Sequence, residues 1–352
     1  MGGIVLAVWY TAGWNASARI GLDLESDGAM QINTITPACR ELASGLQFPE
    51  GPIALPDGSV IVVEMRRQTL SRVTPGGQVE IVAELGGGPN GAALGPDGQI
   101  YVTNNGGPRW IVDAQGNSLP VGLADDNHGG SIQRIEPRTG KVATLYDRCD
   151  GRPIGAPNDL VFDDHGGFWF TDFGKYSAGS PGGGSAAGAD SGGVYYARAD
   201  GSRIERKIFP LDHPNGIGLS PDGKRLYVAE TPTARCLAYD LDAPGALAAG
   251  PGPFSDGGHV LANLGGQQFF DSLAVDGAGH VCVATIVPGA VSDIWPDGSR
   301  VDQYVLPDPI VTNVYFGGRA LGTAFATLSL HGKLVAFDWP RPGAPLKHLN
   351  RA

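Results

Sequence analysis

Six positions in this chain carry oxygen-bearing side chains in one repeated local context: Glu50 in FPEGP, Asn90 in GPNGA, Asn158 in APNDL, Asn215 in HPNGI, Asp271 in FFDSL and Asn313 in VTNVY. None offers the nitrogen or sulfur of a His or Cys. Such a set suits a hard cation. Calcium takes about six to eight oxygens from carboxylates, amide carbonyls and water, and Glu50 with Asp271 supplies two negative charges, enough to neutralise a dication. Zinc recruits His or Cys, and the seven histidines show no metal spacing. An isolated Asn-Gly reads as a turn. Glu is no favoured turn former, FFDSL has no turn character, and six occurrences in register outweigh one.

A second set follows fourteen residues behind the first: Glu64, Asn104, Asp172, Thr285 and Thr327, with Glu230 one place later. Behind Asn104 and Asp172 come the long segments NGGPRWIVDAQGNSLPVGLADDNHGG and FGKYSAGSPGGGSAAGADSGG. Loops of that length in compact domains are commonly binding elements or lids, and the Gly/Ser/Ala-rich second one is expected to be flexible. Asn90, Asn104, Asn105, Trp110 and Asp172 are therefore the candidate substrate contacts. Phe173, Tyr176, Phe269, Phe270 and Tyr315 are expected near the same opening as aromatic walls.

The elements that must position these residues are short and repetitive. Each of the six begins an apolar run, a turn and a second β-rich run, as in PEGPIALPDGSVIVVE, PNGAALGPDGQIYVTN and PNGIGLSPDGKRLYVAE. Asp-Gly between alternating runs is a hairpin signal. Successive spacings of 40, 68, 57, 56 and 42 residues match the size of a four-stranded propeller blade. The expected fold is all-β: a six-bladed β-propeller of four-stranded blades around a central channel, with little helix. If the first strand of each blade lines the channel, the second returns to the same face, and both residue sets share one mouth. The expected organisation is an N-terminal extension or extra strand over 1–36, the propeller over 37–340, and a C-terminal tail over 341–352.

Composition agrees and narrows the classes. The 352 residues include 55 glycines and 27 prolines, with 42% apolar residues, a profile of many strands and tight turns and not of disorder. A net charge of -11 and no basic cluster argue against a nucleic-acid partner. No eighteen apolar residues run together, so no membrane span is expected. Cys39, Cys149, Cys236 and Cys282 are far apart, which points to packed, reduced thiols. The opening MGGIVLAVWYTAGWNASA has an apolar run with no Lys or Arg before it, unlike a secretory signal. A cytoplasmic protein is expected, with periplasmic or secreted as the alternative. No feature sets an oligomeric state.

FPEGP, PNDLVFDDHGGFWFTD, PNGIGLSPDGKRLYVAET and DSLAVDGAGHVCVA resemble the SMP-30/gluconolactonase/LRE family from about Leu46 to Leu334. The resemblance implies a propeller with a divalent cation on its axis, calcium first, with zinc, manganese or magnesium as alternatives. It implies Glu50, Asn158, Asn215 and Asp271 as the metal ligands, with Asp271 and Asn158 catalytic. Asp-Ser at 271–272 departs from the family's usual Asp-Gly. Asn104-Asn105 stands where paraoxonase-like enzymes carry a His, against that mechanism. The implied activity is hydrolysis of a small lactone, with Asp271 as base or nucleophile. A phosphotriesterase, a strictosidine-synthase-like enzyme and a non-catalytic ligand-binding propeller are the alternatives on this scaffold.

Overall fold

The structure is a computed structural model that describes residues 31–174, 191–250 and 256–350. Six antiparallel sheets follow one another along the chain. Blade one is Pro49–Ala54, Val60–Glu64, Thr69–Val73 and Val79–Glu84. Blade two is Pro89–Leu94, Ile100–Asn104, Ser131–Glu136 and Lys141–Tyr146, with a hairpin, Pro108–Val112 and Ser118–Leu123, inserted after its second strand. Blade three is Pro157–Phe162, Gly167–Asp172, Gly192–Arg198 and Ile204–Leu211, and blade four is Pro214–Leu219, Arg225–Glu230, Arg235–Ala243 and Gly258–Asn263. Blade five is Phe269–Val275, Val281–Ile286, Ala290–Ile294 and Arg300–Val305. Blade six is Val311–Gly317, Thr323–Leu328 and Lys333–Asp338, completed by Arg40–Ala43 from the N-terminal side. The fold is thus the expected six-bladed β-propeller.

Of the expected extension over 1–36, Gln31–Ile35 lies as an extra strand parallel to the outer strand of blade five, and residues 1–30 lie outside the described residues. Arg40–Ala43, at the start of the propeller range, closes blade six.

Local chemistry explains the hairpins. In the Asp-Gly turns, Asp57, Asp97 and Asp222 accept the amide two residues on, at 3.0, 3.2 and 3.1 Å, the self-bonding that makes Asp a turn residue. Six apolar clusters fill the gaps between successive blades. The gap between blades two and three holds Tyr101, Phe162, Phe168, Phe170 and Tyr195. The sheets therefore stack face to face in a closed ring, and the six first strands surround the axis.

The ring demands close approach at its centre. A Cβ on Gly91 would sit 2.7 Å from the Asn158 carbonyl, and one on Gly216 would sit 2.7 Å from the Asp271 carbonyl. Glycine after Asn90 and Asn215 is there to admit the neighbouring blade, in strands and not in turns.

The far end of the channel is lined by Leu94, Phe162, Leu219, Val275 and Phe316, and residues 346–349 close it. Arg341 ties this tail to Asp276 and Asp293, both at 2.5 Å. No helix among the described residues is long and apolar enough to cross a membrane. Cys149, Cys236 and Cys282 are buried, Cys39 half-buried, and all four are free.

Candidate functional site

Each of the six first strands breaks register at its motif: after Glu50, Pro89, Pro157, Pro214, Phe270 and Val311. Such irregularities re-aim a side chain, and here they do so at one end of the channel. Glu50, Asn90, Asn158, Asn215, Asp271 and Asn313 are all buried. A ladder of hydroxyls sets the blades against one another at this level. Thr103 donates to the Asn158 carbonyl at 2.5 Å, Thr171 to the Asn215 carbonyl at 2.5 Å, and Ser329 to the Pro49 carbonyl at 2.6 Å.

The side chains at the axis are poorly matched to one another. Asn313 donates to Glu50 at 3.3 Å, and Asn215 donates to Asp271 and to Thr231 at 3.2 Å. The Oδ1 atoms of Asn90, Asn158 and Asn215 are buried without a hydrogen-bond partner. Orphaned buried acceptors are costly, and three on one ring call for something they can bind.

Charge makes the same demand. Burial, with Asp271 and Asp159 nearby, holds the Glu50 carboxyl well above the usual range. Burial also pushes Asp271 up to about 8, opposed by the Asn215 amide and reinforced by Asp159. Asp159 itself is raised to about 7 by burial. Among the described residues, no Lys or Arg is one of the groups that shift these three carboxyls. Three buried carboxyls and three unpartnered amide oxygens fit a hard dication well.

Asp159 was not picked out from the sequence. Its signal was present: PND stands where two other blades read PNG, so a carboxylate replaces the glycine beside the axis. Two further residues also escaped notice. Phe48 and His213, each two places before a ring residue, hold φ of +55° and +52°, an uncommon backbone for such side chains. His213 Nδ1 lies 2.7 Å from Asp212, and its ring stands edge-on to Phe173 with centroids 4.7 Å apart.

The second set lies at the same mouth, as the pairings Pro49 with Glu64, Pro89 with Asn104, Pro157 with Asp172 and Pro214 with Glu230 establish. Four of its members hold the loop that enters their own blade. Glu64 accepts from Gln47 at 2.8 Å, Asn104 from Gly88 at 2.9 Å, and Glu230 from Asp212 at 3.0 Å. Asp172 accepts from Gly155, Ala156 and Gly174 at 2.8, 2.7 and 3.0 Å. Asn105 accepts from Gly107 at 2.9 Å in the root of the inserted hairpin.

Two aromatic expectations are corrected. Phe270 is fully buried in the cluster between blades four and five, because alternation along the strand turns it away from the axis where Asp271 points. Tyr315 lines the lower channel and packs toward Leu94 and Leu349, being two residues further along its strand than Asn313. Tyr176 lies outside the described residues, as does most of the Gly/Ser/Ala-rich loop. Trp110 is half-buried against Phe48, with centroids 5.1 Å apart.

Asp276, Cys282 and Asp293 also converge, in blade five, within 4.8 Å. Their carboxylates are already met by Arg341, and Asp293 by His280 Nδ1 at 2.8 Å, so this cluster carries its own cation.

Residues 48–329 match the family described as SMP-30/Gluconolactonase/LRE-like region. The chain is 26% identical over 290 residues to a gluconolactonase of Zymomonas mobilis, spanning 76% of this chain and 72% of the relative. It is 29% identical over 286 residues to the lactonase drp35 of Staphylococcus saprophyticus, spanning 79% and 76%. Among solved structures, a calcium-binding regucalcin of Agrobacterium tumefaciens superposes with a TM-score of 0.69 at 18% identity, over 91% of this chain and 99% of that one.

Proposed function

This chain belongs to the SMP-30/gluconolactonase/LRE-like family, and from that membership we propose that it is a lactonase working at the carboxylate end of the propeller channel. The observation that carries the cation-dependent form of this reading is the buried ring itself, with three unpartnered amide oxygens beside carboxyls that no cationic side chain among the described residues offsets. Glu50, Asn158, Asn215 and Asp271 would hold a divalent cation, calcium before zinc, manganese or magnesium on the all-oxygen donor set. A cation bound there supplies Lewis-acid polarisation of the lactone carbonyl.

The chain's own groups do the rest. Asp271, deprotonated, takes a proton from the attacking water; the water oxygen bonds to the acyl carbon, the ring C–O bond breaks, and the alkoxide gains a proton to leave a hydroxy acid. Asn158 turns its amide to the reacting carbonyl. Asn90, Asn105 and Trp110 contact substrate. Asn104 and Asp172 act through the loops they hold.

The test is proton release from gluconolactone, dihydrocoumarin and a medium-chain γ-lactone, measured with calcium and with EGTA. The expected result is ring opening that disappears with chelator and returns with calcium. Failure of the calcium-loaded protein on every lactone removes the lactonase reading; turnover indifferent to exhaustive chelation, with no metal found by elemental analysis, removes the cation.

A further inference from the structure

The inserted hairpin of blade two, Pro108–Val112 and Ser118–Leu123, forms a two-stranded sheet of its own outside the six blades. It rises from the end of the second strand, on the face that carries the ring. Its root is fixed: Ala124 donates to the Gly107 carbonyl at 3.1 Å, and Asn127 donates to the carbonyls of Asn105 and Gly107 at 3.1 and 2.9 Å. It reaches across to blade one. Arg66 donates to Ser118 at 2.8 Å, and Trp110 packs on Phe48, two residues from Glu50. Three of the eight large apolar side chains exposed among the described residues, Ile111, Val112 and Leu123, lie on this one hairpin, and Arg109 is the one charged side chain on its two strands, so most of what it presents is carbon.

The polar side of the mouth points the same way. A site selective for a sugar ring needs donors and acceptors aimed at several hydroxyls. Here the side-chain oxygens of Glu64, Asn104, Asp172 and Glu230 are already committed, to backbone amides and, for the second oxygens of Glu64 and Glu230, to Ser71 and to Thr233 and Arg235. Across the mouth, Phe173 and His213 form a second aromatic contact.

We propose that the Pro108–Leu123 hairpin is the specificity wall of the site, that Trp110 is its substrate-contacting residue, and that it selects lactones bearing an apolar or aryl substituent over polyhydroxylated ones. This rests on the lactonase reading, and the test separates the two.

Steady-state rates for dihydrocoumarin and gluconolactone are measured for the wild type, Trp110→Ala and Trp110→Phe. Trp110→Ala is expected to raise KM for dihydrocoumarin about tenfold, the scale of a lost apolar contact, with kcat nearly unchanged. Its KM for gluconolactone should move less than about twofold, and Trp110→Phe should restore most of the aryl preference. A purely structural tryptophan would shift both substrates together, and that result, or no shift at all, overturns the proposal. Binding of the lactam analogue of dihydrocoumarin, followed by calorimetry, gives a readout without hydrolysis. If the wild type binds the lactam and Trp110→Ala does not, the wall stands even where no lactone is opened; if the wild type fails to bind it, the wall falls whatever the lactonase result.

Discussion

At the residue scale, the ring around the axis holds more like charge than the protein alone would tolerate. In the cation-free protein, Asp271→Asn removes one of three buried carboxyls and keeps its shape, so the melting temperature should rise. With calcium the order should reverse. The wild type gains about 2.7 kcal/mol when free metal is a hundredfold above its dissociation constant, while the variant gains little and loses hydrolysis by a factor on the order of 10². Asn313→Ala removes one 3.3 Å bond to Glu50 and should cost much less. Melting curves with and without calcium decide this, and equal behaviour of the two variants would count against the roles given to them. The ring was legible in the sequence because six side-chain oxygens recur at one position of a repeated motif. Asp159 was not, because its weight comes from burial, and nothing in PND says how deeply the third residue sits.

At the element scale, the second strands do two jobs: they form the ladder, and their last side chains hold the loops that deliver the ring. The fourteen-residue spacing located Glu64, Asn104 and Asp172, but not what they bond. Their partner amides lie 16 or 17 positions upstream in irregular loops, which no periodicity describes. Asp172→Ala leaves three loop amides without their acceptor and should lower stability by about 3 kcal/mol, read as a shift in urea midpoint at constant slope. An unchanged midpoint would return Asp172 to the substrate alone. Phe270 and Tyr315 show the other limit of sequence reading. Neighbourhood in sequence to a ring residue says little about facing the mouth, because one step along a strand reverses the face and two steps move down the channel.

At the scale of the whole molecule, the tail makes the channel one-ended. His348 stands edge-on to Phe162 at 5.4 Å, with Nε2 buried and unpartnered, and burial, followed by the charge of Lys347, lowers its pKa from 6.5 against the opposing pull of Asp164, Asp163 and Asp97. A lowered histidine favours the seated tail fully above about pH 6.5 and loses that contribution as pH falls through the depressed value. Hydrogen exchange in residues 343–350 should therefore quicken between pH 7.5 and 5, beyond the intrinsic chemical trend, and His348→Leu should remove the difference. A wild-type tail equally protected at both pH values would sink this account.

The closure of blade six by Arg40–Ala43 has a consequence in time. Ser329 meets the Pro49 carbonyl across 280 positions of chain, and Asn313 meets Glu50 across 263. A ribosome adding about 5–20 residues per second needs roughly a quarter of a minute to a minute to cover that interval. Until then Arg40–Ala43 lacks its partner strand, Glu50 lacks Asn313, and five finished blades remain an open arc. The proposed cation site is thus complete only once blade six has been made and folded against blade one.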